Sequence, residues 1–144
     1  MPLQNFGSVL NFAADLEAED QAFYLAASGN PKCSEYKEMF EDFVANSKKN
    51  ERLMRDTCRE NVCEMILEPI IDFSRQAFLS QREAADEMSL ERVLAKALEL
   101  ETKAEKFYIE GAAKIRALPE VSRALARTAT RRAARREKLE GLSR

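Results

Sequence analysis

With 144 residues, this chain has about the size of one compact domain and can bury a substantial core. Its 45% hydrophobic and 33% charged residues, with only four glycines and four prolines, favour long helices and argue against a β-sandwich or a disordered segment. Because no run of 18 apolar residues and no signal-peptide pattern is present, we expect one all-α domain over residues 1–144, cytoplasmic and without a membrane partner.

The net charge of -2 conceals an uneven distribution along the chain. Residues 112–144 contain ten Lys and Arg against three acidic residues, whereas residues 1–111 contain thirteen against twenty-two. Such a division is typical either of a basic interaction surface or of helices that attract each other inside one bundle.

The cysteines have neither the number nor the spacing of a disulfide framework or a zinc half-site. We expect all three to be reduced thiols that pack as small apolar side chains, with a redox role as the alternative, at Cys33, Cys58 and Cys63.

Helical periodicity predicts a first helix over about residues 8–28. Ser8 is a good N-cap, and the SGNP stretch that follows ends the helix. A second helix is predicted over about residues 32–62, with apolar residues along one face, and it must end before Pro69.

Two further helices are predicted in the second half of the chain. The third covers about residues 89–117, with Ser89 as its N-cap. The fourth covers about residues 119–140 and begins with Pro119, which suits the first position of a helix. The connection over residues 63–88 is too long for a hairpin turn, and a crossover that makes the second and third helices parallel is the natural interpretation.

An internal repeat relates the two halves of the chain. The stretch ADLEAEDQAFYL in the first helix aligns with LELETKAEKFYI in the third at a constant offset of 84, which pairs Glu17 with Glu101 and Tyr24 with Tyr108. The second and fourth helices correspond at an offset of 85. The sequence therefore predicts two related helical hairpins.

These repeated motifs resemble the ferritin-like superfamily, in particular its rubrerythrin-like branch, over roughly residues 8–140. In that branch each hairpin typically carries Glu followed by an aromatic pair on one helix and ExxH on the next. The resemblance implies a four-helix bundle made of two hairpins joined by a long crossover. It also implies a di-iron centre held by two Glu and two ExxH pairs, whose i,i+3 spacing aims both ligands into the bundle.

The chain departs from this family at the ligand positions, and it contains no histidine. The six aligned positions hold Glu17, Ser47, Asn50, Glu101, Arg132 and Arg135. Two carboxylates beside two guanidinium groups will not hold a pair of dications. The resemblance therefore implies the fold and a degenerate site, with no metal or other cofactor expected.

Helical geometry suggests what replaces the metal. At 100° per residue, Arg132 falls in the middle of the apolar stripe of the fourth helix, so we expect its guanidinium to face the interior and pair with Glu17 and Glu101. Asp20 can join this ionic network. A register slip of one residue, the alternative, would exchange the inner and outer arginines.

The remaining polar candidates have less specific roles. Tyr24 and Tyr108 are predicted to be core residues whose hydroxyls reach the central network. A separate basic stripe is predicted to be exposed, either solvated or paired with acids of a neighbouring subunit, at Arg116, Arg123, Arg127 and Arg131.

Three classes of function follow from these residues. We favour a metal-free, non-catalytic bundle with a structural or interaction role, as a homodimer with an unidentified protein partner. One alternative is a metal-binding oxidoreductase that uses Glu17 and Glu101 with Asp20 or Glu51. The other is anion or nucleic-acid binding through the basic stripe, although no signature of sequence-specific nucleic-acid recognition accompanies it.

Overall fold

The computed structural model describes residues 6–61, 78 and 85–142, and this part of the chain is helical without any β-strand. Its elements, in chain order, are α1 (Phe6–Ser28), a short 3-10 helix (Pro31–Tyr36), α2 (Lys37–Asn61), α3 (Leu90–Lys114) and α4 (Pro119–Leu142). The all-α class and the four helices are therefore confirmed. None of the described helices combines the length and apolar character needed to cross a bilayer.

The prediction placed the start of the second helix too early. Asn30 has extended backbone angles, and its side chain accepts a hydrogen bond from the Lys32 N–H, which begins a 3-10 helix instead. Cys33, with φ -110° and ψ 15°, interrupts helical geometry, so the regular α-helix begins only at Lys37. Cys33 is buried, as expected for a small apolar side chain, and Cys58 is half-buried. Cys63 lies outside the described residues.

The other helix ends lie within a few residues of the predicted ones, but Ser8 is not the N-cap of α1, because it lies inside a helix that already includes Phe6. Ser89 caps α3 by accepting a hydrogen bond from the Arg92 N–H at 3.3 Å. The helix ends at Lys114, somewhat before the predicted residue 117, and Pro119 begins α4 as predicted. Most of the predicted crossover, over residues 63–88, lies outside the described part of the chain.

Two apolar clusters define the directions of the helices. At one end of the molecule, the beginnings of α1 and α4 pack with the ends of α2 and α3, through Leu10, Met54, Phe107 and Leu125. At the other end, the end of α1, the beginning of α2, the beginning of α3 and the end of α4 meet through Phe23, Phe40, Val93 and Leu139. The helices α2 and α3 therefore run in the same direction, opposite to α1 and α4. Helix α1 packs mainly against α2, and α3 mainly against α4.

Two residues fasten the connection between α2 and α3 to the helices. Phe78 is buried, and its ring packs edge-on against Phe107 with the centroids 5.3 Å apart. Asn30 is also buried, and its Nδ2 donates to the carbonyl oxygens of Ala85 and Met88, both at 2.8 Å. One amide side chain thus joins the corner after α1 to the segment that leads into α3.

Replacing Asn30 with Ala is expected to lower the free energy of unfolding by about 2–4 kcal/mol, because two buried carbonyl groups lose their donor and the 3-10 helix loses its cap. Urea denaturation followed by circular dichroism measures this loss. Asn11→Ala, at an exposed position of α1, is the matched control and should change stability by no more than about 0.5 kcal/mol. Equal effects of the two substitutions would contradict the role assigned to Asn30.

Candidate functional site

A layer of polar side chains crosses the middle of the molecule between the two apolar clusters. All four helices contribute to it, and its fully or almost fully buried members are Glu17, Asp20, Ser47, Asn50, Glu101, Arg132 and Arg135. Isolated charges at such positions would cost many kcal/mol, so their stability depends on how they are paired.

Arg132 of α4 lies at the centre of this layer and is fully buried. Its Nη1 donates to both carboxylate oxygens of Glu101 at 2.8 Å, and its Nε donates to Glu17 Oε2 at 3.1 Å. Its Nη2 donates to Asp20 Oδ2 at 2.6 Å and is also 3.0 Å from Glu17 Oε2. One guanidinium group therefore binds three carboxylates from α1 and α3. The structure has the inward-facing register expected for Arg132, not the slipped alternative.

Arg135, one turn further along α4, has a different environment. Its Nη1 donates to Ser47 Oγ at 3.0 Å and to Asn46 Oδ1 at 3.1 Å, both on α2. Its guanidinium carbon lies 5.2 Å from the ring centroid of Tyr24 and 5.0 Å from that of Phe43, within the range of cation–π attraction. Nη2 is 2.9 Å from Glu101 Oε2 without the alignment of a hydrogen bond, so this contact is a charge–charge interaction.

The two tyrosines link the hairpins in a reciprocal way. Tyr108 of α3 donates to Glu17 Oε2 of α1 at 2.5 Å, and Tyr24 of α1 donates to Glu101 Oε2 of α3. Burial, together with the neighbouring carboxylates, raises the pKa of both phenols well above the usual value. Both hydroxyls therefore stay protonated and act as donors, as the sequence suggested for these core positions.

Arg131 is placed differently from the prediction. It is half-buried, and its Nη1 donates to Asn50 Oδ1 at 2.9 Å, while Asn50 Nδ2 donates to Glu17 Oε1 at 3.2 Å. The assignment of Arg131 to the exposed stripe was therefore wrong: its helical position is at the edge of the interior, and its long side chain reaches inward to a polar partner. The other members of the stripe are exposed, namely Arg116, Arg123 and Arg127.

Asn46 is a member of the network that the sequence prediction missed. It is half-buried, receives hydrogen bonds from Arg135 Nη1 and from Asn50 Nδ2, and lies beside Ser47 on α2. The offset of 85 that relates α2 to α4 aligns Asn46 with Arg131. The alignment of Asn46 with Arg131 is the sequence signal that could have identified both residues as members of the network.

The charges in this layer are nearly balanced. Burial alone would lower the pKa of Arg132, but Glu101, Glu17 and Asp20 outweigh that effect and hold its pKa well above the usual value, so it stays charged. Burial raises the pKa of Asp20 to about 7, and the charges of Glu101 and Glu17 add to the effect of burial while Arg132 opposes it. Below about pH 7, where Asp20 holds a proton, two carboxylates face the two guanidinium groups of Arg132 and Arg135, and at higher pH Asp20 adds a third carboxylate.

The donor set does not fit a di-iron centre. In the described ranges, no three His, Cys, Asp or Glu side chains are arranged to hold a metal ion. Both carboxylate oxygens of Glu17 and both of Glu101 accept hydrogen bonds from Arg, Tyr or Asn side chains. The space in which the carboxylates converge is occupied by the guanidinium of Arg132.

Comparisons of the chain with protein-family models, with curated proteins and with solved structures find no match. What the site can do therefore has to be inferred from its own contacts. These contacts form a buried ionic network in which most donors and acceptors bind one another, while Arg135 Nε and Nη2 have no hydrogen-bond partner among the described residues.

Replacing Arg132 with Ala is expected to lower the free energy of unfolding by about 3–5 kcal/mol, because three buried carboxylates lose their shared cation. Chemical denaturation at pH 7 measures the change. Arg127→Ala, on the same helix but exposed, is the control and should cost less than about 1 kcal/mol. A loss below 1 kcal/mol for Arg132→Ala would show that the network does not depend on this guanidinium.

Asp20 gives the stability a definite pH dependence. Its pKa is about 7 in the folded chain against an ordinary value of 3.8, so between these two values the folded state holds a proton that the unfolded state has lost. The free energy of unfolding should therefore fall as pH rises from about 4 to 7, by about 2–4 kcal/mol relative to an Asp20→Asn variant. Above pH 7 this difference should stay constant.

Urea denaturation of wild type and Asp20→Asn at half-unit steps from pH 4 to 8 tests this dependence. Asp15→Asn, on the same helix with a side chain that is 68% exposed, serves as the matched control. Its free energy of unfolding should change with pH as that of the wild type does. If the free energy of unfolding changes with pH in the same way for wild type and Asp20→Asn, Asp20 does not retain a proton in the folded chain.

Proposed function

We propose that this chain is a ferritin-like bundle, similar to the rubrerythrin-like branch, in which an arginine–carboxylate network takes the place of the di-iron centre. We further propose that its role is non-catalytic, either structural or as an interaction partner. The observation that carries this proposal is the Arg132 guanidinium, bound to Glu17, Asp20 and Glu101 at the centre of the four helices.

The helix directions support the ferritin-like part of the proposal. Helices α2 and α3 run in the same direction, which is the arrangement of the second and third helices in ferritin-like bundles, whose two hairpins are joined by a long crossover. The reciprocal Tyr–Glu hydrogen bonds add support, since they follow the same repeat as the sequence.

The chemistry of the guanidinium group supports a non-catalytic role. Arginine supplies a permanent positive charge in a fixed geometry, so it can neutralise the carboxylates that a metal would otherwise neutralise. It is not a redox centre, and it keeps its protons at physiological pH. The network can therefore hold the helices together, but its arginines do not provide electron transfer or a nucleophile.

An interaction role would bring the bundle into contact with another chain, which can be a second copy or a different protein. The homodimer expected from the sequence belongs to this proposal, and sedimentation equilibrium of the wild-type chain is its test. A monomer at all concentrations would restrict the interaction role to partners other than a second copy.

Anaerobic loading with ferrous iron, followed by desalting and exposure to oxygen, tests the loss of the di-iron chemistry. We expect no iron to be retained in stoichiometric amount, no absorbance band of an oxo-bridged centre, and no shift in melting temperature with ferrous iron present. A metal that bound only the folded chain would stabilise it by about 2.7 kcal/mol at a concentration of 100 times its Kd.

Two irons per chain with an oxygen-dependent absorbance change would overturn the proposal. A Glu101→Gln variant, altered at a buried acid of the network, locates that iron, and Glu19→Gln, at an exposed acid of α1, is the control. Iron that is lost in Glu101→Gln and kept in Glu19→Gln would lie in the interior, and the metal-binding oxidoreductase would become the better proposal.

A further inference from the structure

A cleft of about 220 Å³ lies between the second half of α2 and the first half of α4, on the outside of the bundle. Leu53 and Ala124 supply apolar surface to it, and Arg123 and Arg127 line it from α4. Glu60 and Glu120 also line the cleft, near the last residue of α2 and the first residue of α4. The cleft thus combines apolar, cationic and anionic surface in a small volume.

The two arginines of this cleft differ from the other arginines of α4. Each of the others donates to a named acceptor: Asn50, Glu101, Ser47 and Glu105 are partners of Arg131, Arg132, Arg135 and Arg136. Arg123 and Arg127 are exposed and form no hydrogen bond or ion pair with any described residue. Even Glu120, one turn before Arg123 and lining the same cleft, does not pair with it.

The spacing of these two arginines gives the cleft an electrostatic preference. Arg123 and Arg127 are four residues apart on one helix, so their side chains are neighbours and their like charges repel. An anion between them would relieve this repulsion and would receive hydrogen bonds from two forked guanidinium groups.

We propose that this cleft binds a small organic anion. Its carboxylate or phosphate group lies between Arg123 and Arg127, and its apolar part packs against Leu53 and Ala124. The volume is below the 300 Å³ or so of most pockets for drug-sized ligands, so the ligand is small. The acidic side chains of Glu60 and Glu120 disfavour a long, multiply charged partner such as a nucleic acid strand. This inference does not depend on the proposed function of the buried network.

Titration of the 15N-labelled chain at constant ionic strength, followed by NMR, tests this site with benzoate, phenyl phosphate and inorganic phosphate as probes. We expect saturable shifts of the Arg123 and Arg127 Nε–H resonances with phenyl phosphate, with benzoate or with both, and the probe that binds identifies the anionic group. An Arg123→Gln/Arg127→Gln variant should bind that probe at least tenfold more weakly.

Two further variants separate a built site from general attraction by positive charge. Arg116→Gln, also exposed and in the same predicted stripe, should keep wild-type affinity. Leu53→Ala should weaken the binding of the aromatic probe several-fold and leave that of inorganic phosphate unchanged. All of these positions are exposed or half-buried, and thermal unfolding by circular dichroism verifies that the variants stay folded.

Shifts that rise without saturation, or an equal loss of affinity in Arg116→Gln and in the double variant, would overturn the proposal. Either result would reduce the stripe to a solvated basic surface. If Leu53→Ala leaves the affinity for the aromatic probe unchanged, the proposal is also contradicted, because the apolar part of the ligand would then not pack against Leu53.

Discussion

The structure depends on one buried cation that three carboxylates share. Arg132 joins α4 to α1 through Glu17 and Asp20, and to α3 through Glu101. The apolar clusters on either side exclude water, and the low local dielectric strengthens these contacts while making any unpaired charge costly. A shift of α4 by one residue along its neighbours would separate Arg132 from its three partners and bury charges without partners. The network therefore fixes the register of the fourth helix.

The network also explains why the two halves of an internal repeat have different residues at equivalent positions. Glu17 and Glu101 are equivalent, as are Tyr24 and Tyr108, and each tyrosine binds the glutamate of the other hairpin. The second and fourth helices are not alike: α2 supplies neutral groups where α4 supplies arginines, at Asn46, Ser47 and Asn50 opposite Arg131, Arg132 and Arg135. Arginines in both helices would leave surplus positive charge in the interior, whereas neutral amides and a hydroxyl accept the arginine donors.

Much of this arrangement could be predicted from the sequence because it follows from helical position. The four helices, the inward direction of Arg132 and its pairing with two repeated glutamates all depend on spacing along the chain. The delayed start of α2 could not be predicted in this way, because it depends on the side chain of Asn30 and the backbone of Cys33. The contact between Arg131 and Asn50 could not be predicted either, because it depends on how far a flexible side chain extends. The 100° step along the helix gives the direction of a side chain but not its reach.

The arginines of α4 thus act in two electrostatic environments. Those in the interior donate to carboxylates, amides and a hydroxyl, and carboxylates within the bundle offset most of their charge. Because these arginines are buried or half-buried, they hold the helices in place and have little access to another molecule. Arg123 and Arg127, one to three turns nearer the beginning of the same helix, are exposed and form no ion pair with a described residue. The anion site proposed for α4 therefore uses the outer pair, and screening of exposed charges by salt would weaken binding there. The inner arginines contribute indirectly, by fixing the helix that presents that pair.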